Sequence, residues 1–348
     1  MKAVFLERPG AVLQLVDVPE PALRAGAVRV RVTRAPVLSF MRAVVAGELG
    51  YTLPTPSVPG PNAIGVVDAV ADDVFGIAVG QHVFLDPGLA SGGERALLGL
   101  TGISPGAARL QALYRNGTFA EKVLVPAENL TPLPTGTTSD DALACLSYLV
   151  IPFGGLRRGE LRPGQTVIVS GATGNLGAGG VLVALSMGAS KVVAVGRERA
   201  VLTELERLGR RVVSVALSGQ RERDAEAVRE AAGGSGADLV LDLLGSATTP
   251  DPTMACIAAL RLRGTAVLMG SVRADLCFPY LDLMLREIAV RGCFMYGREA
   301  PAELAAMVAA GTLDLSPIRA RTFPLSECDL ALEEASRSKG LHYCMLAP

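Results

Sequence analysis

The plainest chemistry in this chain is offered by a glycine cluster in TVIVSGATGNLGAGG, Thr166 to Gly180. Gly171, Gly174 and Gly177 recur every third residue between an apolar run that reads as a buried strand (Thr166 to Ser170) and a helical segment. In that segment Leu176, Gly180, Val181, Ala184, Leu185 and Gly188 fall at helical spacing. Glycine at a strand-to-helix turn lets the backbone approach a ligand closely, and the first free N–H groups of the helix present the positive end of its dipole. Pyrophosphate binding fits that arrangement, so Gly171, Ala172, Thr173, Gly174, Asn175 and Leu176 are predicted to cradle a dinucleotide. A glycine-rich crossover packed for its own sake is the competing account. The next strand, KVVAV, ends in Gly196-Arg197-Glu198-Arg199. An acid at that point binds a ribose 2′-hydroxyl, whereas glycine leaves room and a guanidinium pairs with a 2′-phosphate. Gly196, Arg197 and Arg199 therefore favour NADPH over NADH, unless the arginines are solvated turn charges and Glu198 takes the ribose.

Other reactive types are sparse. Cys145, Cys256, Cys277, Cys293, Cys328 and Cys344 are scattered without a CxxC, which suits neither a disulfide framework nor a metal knuckle. His82 and His342 are the only histidines, so proton relays have few candidates. The formal charge is -1 and no run of lysine or arginine occurs, which argues against nucleic acid or a membrane surface as the main partner. The opening MKAVFLERPG meets Glu7 and Arg8 too early for a signal peptide, and a cytoplasmic location is expected. The uncharged stretch between Arg162 and Lys191 contains the glycine turn and so reads as a buried crossover, not a membrane span.

At 348 residues the chain has room for two domains. Before about Leu130 the pattern is short β segments: Met1 to Leu6, Val12 to Val18, the alternating Val28, Val30 and Val32, then Gly65 to Ala71, Gln81 to Leu85 and Phe119 to Val125. A short helix is expected at Ser39 to Ala46, and GYTLPTPSVPGPN must be loop. After a helix near Ser139 to Leu149, strands at 166–170, 191–195, 211–217, 238–243 and 265–269 alternate with helices, and a sixth is expected at Ile288 to Tyr296. That alternation predicts an α/β fold with a doubly wound parallel sheet. The tail offers a helix (Pro301 to Ala310), a strand (Ile318 to Phe323), a helix (Ser326 to Ser336) and a last strand (His342 to Leu346). It is too short for its own core and is expected to return to the β-rich front, closing a cleft between two lobes.

The order of these parts resembles the medium-chain dehydrogenase/reductase superfamily over nearly the whole chain. AVGQHVF at 78–84, GTFAEKVLVPAENL at 117–130, LRPGQTVIV at 161–169 and ADLVLDLLGS at 237–246 carry the likeness. It implies a β-rich GroES-like domain (1–130 and 299–348) and a Rossmann domain (131–298). Where the zinc alcohol dehydrogenases of that superfamily place metal ligands, this chain has Pro36-Val37-Leu38-Ser39-Phe40-Met41 and Gly60-Pro61-Asn62, and 86–120 holds no cysteine. Zinc needs three or four N, S or O ligands, so no metal is assigned, and the resemblance narrows to the zinc-free, quinone-oxidoreductase-like branch.

The same resemblance suggests roles residue by residue. Tyr51, in GELGYTLP, is similar to a cleft tyrosine whose phenol would donate to a substrate oxygen; packing of a loop is the alternative. Ser39 is the other hydroxyl expected near the substrate, or else a helix N-cap. Asn62 stands where the family has a glutamate, or is a turn asparagine. His82 reads as structural. Leu244, Gly245, Gly270 and Ser271 are expected at the ribose and nicotinamide, and Cys293 and Met295, on the sixth strand, at the carboxamide. A homodimer through Ile288 to Tyr296 is implied. The expected activity is hydride transfer from NADPH to a hydrophobic quinone or α,β-unsaturated carbonyl. Reduction of an aldehyde or ketone without metal, or an idle NADPH-binding protein, are the alternatives. ARLQALYRNG, within 87–116, is expected to form a short helix.

Overall fold

Alternation of valine with arginine and threonine builds the strand Ala27–Val37, in which Val28, Val30 and Val32 are buried and Arg31 meets water. The computed structural model describes residues 1–134 and 138–348, and this strand is the hub of its first unit. Ala27–Val37 pairs antiparallel with Ala63–Val70, Lys122–Pro126 and the last strand, His342–Ala347. The path of the sheet runs Leu130–Pro132, His82–Leu85, Ala63–Val70, Ala27–Val37, His342–Ala347, Arg319–Pro324. Gly65 is required where Ala63–Val70 crosses this hub, since a Cβ there would lie 2.7 Å from Val30 Cγ1 and nearer still to the Arg31 carbonyl oxygen. The residues 88–114 form a separate three-stranded sheet (Gly88–Ser91, Glu94–Leu97, Thr101–Gly102) and a helix, Ala107–Leu113, where the short helix was expected.

The second unit is a six-stranded parallel sheet. Its strands, in chain order Thr166–Ser170, Lys191–Gly196, Val212–Ala216, Ala237–Asp242, Leu260–Leu268 and Ala289–Gly292, lie in the spatial order 3-2-1-4-5-6. The order reverses beside Thr166–Ser170, which is where an open α/β sheet leaves a crevice at its carboxyl ends. Val167, Ile168 and Val169 are fully buried, and Ile168 shares one core with Val193, Val240, Ala266, Val228 and Ile257. Each such aliphatic side chain contributes roughly 1.5–3 kcal/mol by leaving water.

By contacts, the units are Met1–Ser147 with Ile318–Ser338 and His342–Pro348, and Tyr148–Pro317 with Lys339–Leu341. These boundaries differ from the 131 and 299 expected from sequence. The helix Asp140–Ala144 stays with the β-rich unit because Arg34 Nε lies 2.5 Å from Asp141 Oδ1, which also accepts from Thr322 Oγ1 at 3.0 Å. The helix Ala300–Ala309 stays with the parallel sheet's unit, burying Leu304 and Ala305 and pairing Glu303 with Arg157. The helix expected to end at Leu149 instead breaks at Cys145 and runs on from Leu146 to Arg158. A Cβ at Gly155 would sit 2.5 Å from Leu241 Cδ1, so this glycine serves close packing on the sheet. Among the described residues no helix is long and apolar enough to cross a membrane.

Candidate functional site

The glycine turn follows Thr166–Ser170 and opens the helix Asn175–Ser186, as its spacing predicts. Gly171 takes φ +75°, a conformation that L side chains rarely adopt, and lies against the Leu243 carbonyl. A Cβ at Gly177 would stand 2.6 Å from the Gly171 carbonyl carbon and 2.8 Å from Ala172 Cα, so only glycine lets the helix start this close to the turn. Gly174 is exposed, and a Cβ there would meet nothing nearer than the Gly171 oxygen at 3.4 Å. No side chain caps the helix, and the N–H groups of Leu176 and Gly177 have no acceptor among the described residues. Donors without an acceptor, a dipole end and open space over Gly174 together fit a pyrophosphate. The glycine turn thus passes, on this geometry, the test of fit for a dinucleotide.

The second strand ends at Gly196, where a Cβ would lie 2.5 Å from Thr173 Cγ2, so Thr173 of the turn occupies the space a side chain would fill. Arg197, Glu198 and Arg199 are exposed beyond it. The Glu198 carboxylate is paired through Oε1 with the Lys339 ammonium. Neither guanidinium has a hydrogen-bond or ion-pair partner among the described residues.

The loops after the fourth and fifth strands are tied together at the same end of the sheet. Ser271 N donates to Leu244 O at 3.0 Å, and Ser246 N donates to Ser271 Oγ at 3.0 Å. A Cβ at Gly270 would lie 3.0 Å from Leu244 N, and Gly245 is exposed beside them. The sixth strand is shorter than expected: it ends at Gly292, so Cys293 and Met295 lie beyond it. Cys293 N still donates to Leu268 O at 3.0 Å, but Met295 takes φ +60°, which turns the chain away from extended geometry.

Asp242, which sequence reasoning passed over, ends the fourth strand almost wholly buried. It accepts from Thr253 Oγ1 at 3.0 Å and from Leu244 N at 3.3 Å. Burial pushes its carboxyl above the ordinary carboxylate value, against the lowering effect of hydrogen bonds from Ser170, Thr253 and Leu244. Its signal was an acid closing the apolar run ADLVLD. The Lys339 contact gave no local signal.

In the β-rich unit the helix begins at Met41, not Ser39, with Phe40 at its N-cap and Met41 N on Leu38 O at 2.8 Å. Ser39 is therefore not a cap. Its half-buried hydroxyl makes no hydrogen bond among the described residues. Tyr51 stacks on Phe40 with ring centroids 6.1 Å apart. Leu38 is buried, and so is Asn62, whose backbone oxygen accepts from Thr118 Oγ1 at 2.8 Å. The 88–114 lobe is fastened beside Tyr51: Thr52 N donates to Thr101 Oγ1 at 3.0 Å, and Gln111 Nε2 donates to Thr52 O at 3.0 Å. Inside the lobe Glu94 accepts from Ser104 Oγ and from Gly106 N, the latter at 2.8 Å. His82 lies 3.4 Å from Asp140.

The glycine turn of the parallel sheet fits a dinucleotide, which points to a pyridine-nucleotide oxidoreductase. Comparison with known proteins agrees. Residues 24–135 match the alcohol dehydrogenase GroES-like domain and residues 176–310 match the zinc-binding dehydrogenase family. D-xylulose reductase A of Aspergillus niger is 27% identical over 299 residues, covering 85% of this chain and 82% of that protein. The thermostable alcohol dehydrogenase of Pyrobaculum aerophilum superposes with a TM-score of 0.79 at 25% identity, over 100% of this chain and 99% of that one. Alcohol dehydrogenase TADH from Thermus sp. ATN1 gives 0.82 at 25%, with the same coverage. The chain belongs to the medium-chain dehydrogenase/reductase superfamily and is an oxidoreductase of the alcohol dehydrogenase type. A pyridine nucleotide is the cofactor expected of that family. Zinc, which the second family's description carries, does not fit the donor set here. Leu38 and Pro61 offer no ligand atom, and among the described residues no three histidine, cysteine, aspartate or glutamate side chains are grouped to hold a metal ion.

Proposed function

We propose that this protein is a zinc-independent, NADPH-dependent oxidoreductase acting on a small hydrophobic quinone or α,β-unsaturated carbonyl. The observation that carries the reading is the patch around Ser39. Where the superfamily's zinc enzymes keep ligands, this chain keeps buried Leu38, an unpartnered serine hydroxyl and a tyrosine stacked on Phe40. When bound, the nicotinamide supplies a hydride. The Ser39 or Tyr51 hydroxyl holds the substrate oxygen by hydrogen bonding and gives it a proton. Apolar Leu38 and Phe40 orient a hydrophobic substrate and exclude water. Without a Lewis acid a plain carbonyl forgoes several kcal/mol of charge stabilisation, which favours conjugated acceptors.

The nucleotide contacts are assigned to Gly171, Ala172, Thr173, Gly174, Asn175, Leu176, Leu244, Gly245, Gly270 and Ser271, with Cys293 and Met295 following the sixth strand. Arg197 and Arg199 meet the 2′-phosphate beside Gly196. Support comes from the pairing of Glu198 with Lys339, which leaves both guanidinium groups unopposed. A homodimer through the sixth strand is supported by that strand's place at the sheet edge and by the exposed Tyr280, Leu281, Met284, Leu285 and Phe294 nearby. Six free thiols suit the reducing cytoplasm.

Consumption of NADPH and NADH by the purified, chelator-treated protein, with a quinone, a conjugated enone and simple aldehydes and ketones, tests the reading. Turnover of quinone or enone with NADPH, reduced about 10²-fold or more in Tyr51→Phe/Ser39→Ala, is the expected result. Full turnover in that double variant refutes the proton-donor assignment. Turnover of plain carbonyls alone replaces the substrate reading with carbonyl reduction, which the relatives named D-xylulose reductase support.

A further inference from the structure

One short piece of the chain's return reaches the nucleotide turn. Ile318–Ser338 and His342–Pro348 group with the β-rich unit, yet Lys339–Leu341 groups with the parallel sheet. Gly340 N donates to Thr173 O at 3.0 Å, and Asn175 Nδ2 donates to Gly340 O at 3.1 Å. Gly340 adopts φ +61°, and a Cβ there would press on Val201 Cγ1 at 3.1 Å, in the helix that Glu198 caps. Both anchors therefore belong to the nucleotide turn, and Thr173 is also the residue that fills the space over Gly196. This seating places the Lys339 ammonium on Glu198, between two arginines that have no hydrogen-bond or ion-pair partner among the described residues.

We propose that Lys339 is a specificity-determining residue for the 2′-phosphate of the nucleotide, acting by neutralising Glu198. The proposal rests on the NADPH reading above and deepens it. A free Glu198 carboxylate would accept the ribose 2′-hydroxyl of an unphosphorylated nucleotide and repel a phosphate dianion. Pairing with Lys339 offsets its charge and occupies one of its oxygens, which weakens both effects, and the two guanidinium groups of Arg197 and Arg199 then match a 2′-phosphate. The preference is thus set by a residue far along the chain from the Gly196–Arg199 turn that sequence reasoning inspects.

Calorimetric titration with adenosine 2′,5′-bisphosphate and with 5′-AMP tests this without turnover. Lys339→Met should weaken the bisphosphate about tenfold while changing 5′-AMP less than about twofold, since one charge near a dianion is altered and the rest of the cradle is not. Lys339→Arg should hold the parent preference. In Lys339→Met/Glu198→Gln the bisphosphate affinity should return to within about threefold of the parent, because no carboxylate remains to be neutralised. Equal weakening of both ligands by Lys339→Met would show that the tripeptide only seats the turn, and no effect on either would remove Lys339 from specificity; both results overturn the proposal alone. A parent protein that binds 5′-AMP as tightly as the bisphosphate overturns the NADPH reading, and the proposal with it.

Discussion

Gly177→Ala should damage both the fold of the nucleotide unit and its affinity, and the geometry says by how much. The new methyl would stand 2.6 Å from the Gly171 carbonyl carbon and 2.8 Å from Ala172 Cα. Carbon atoms rest at about 3.5–4.0 Å, so the helix Asn175–Ser186 must retreat from the turn by about 1 Å. Both opposing atoms are backbone, and no side chain can swing aside. Overpacking of this kind costs about 1–3 kcal/mol, which in a unit of this size lowers the melting temperature by about 2–4 °C per kcal/mol. The same retreat moves the N–H groups of Leu176 and Gly177 off the phosphate, and misplacement by about 1 Å can weaken an aligned interaction by up to 10²-fold. Gly174→Ala is the control: its methyl meets only the Gly171 oxygen at 3.4 Å, so the melting temperature should hold while affinity falls, because the methyl takes the space assigned to phosphate. Scanning calorimetry and titration with NADPH read the two effects separately. Parent-like affinity in both variants would refute the placement of pyrophosphate over this turn, and a parent-like melting temperature in Gly177→Ala would refute the packing argument.

Two further outcomes follow from groups outside the turn. Because burial holds the Asp242 carboxyl above its ordinary value, the folded state binds that proton more tightly than the unfolded chain does. Its contribution to stability is therefore fully present in acid and is lost as pH rises from the unfolded carboxylate value through the folded one. Asp242→Asn should flatten that part of the stability profile in denaturant melts taken between about pH 4 and 7, and an unchanged slope would show that another group titrates there. At the sheet edge, Leu285→Asp together with Val290→Arg should convert a dimer to monomer in light scattering, since both side chains are exposed at the outer edge of the sixth strand, which pairs only with the fifth among the described residues. A parent protein that is already monomeric would sink the edge-strand dimer.

What could be read in advance was whatever depends on local period and local backbone need. The apolar run Thr166–Ser170, the alternation at Val28–Val32 and the three-residue glycine spacing each fix an element without help from distant residues. Ser39 misled because serine before a helix reads as a cap. In the fold, the strand Ala27–Val37 runs almost to that point and Met41 N is taken by Leu38 O, so the helix opens one residue late. The helix expected to end at Leu149 runs on to Arg158, with Gly155 lying against Leu241 of the sheet. The pairing of Glu198 with Lys339 spans 141 residues, and no window of sequence contains both.

The hydrogen bonds around Tyr51 show how this part of the β-rich unit keeps its shape. The loop after Tyr51 is fastened by Thr101 and Gln111, and the lobe that supplies them is closed by the Glu94 carboxylate, which accepts from Ser104 Oγ and Gly106 N, and by Asn129 Nδ2, which donates to the carbonyls of Asp86 and Gly88 at 2.8 Å. These are hydrogen bonds within one chain, formed on folding and independent of metal supply. A zinc-held lobe unfolds when its ligands are protonated or its metal is removed. Here most donors and acceptors are amides and hydroxyls that do not titrate, joined by the carboxylates of Glu94 and of Asp86, whose Oδ1 accepts from Gly88 N at 2.6 Å. The position of Tyr51 is accordingly set by packing on Phe40 and by neutral hydrogen bonds through Thr52. Under the proposed reading the patch acts through hydroxyls, and a conjugated acceptor, needing less polarisation than a plain carbonyl, suits it better.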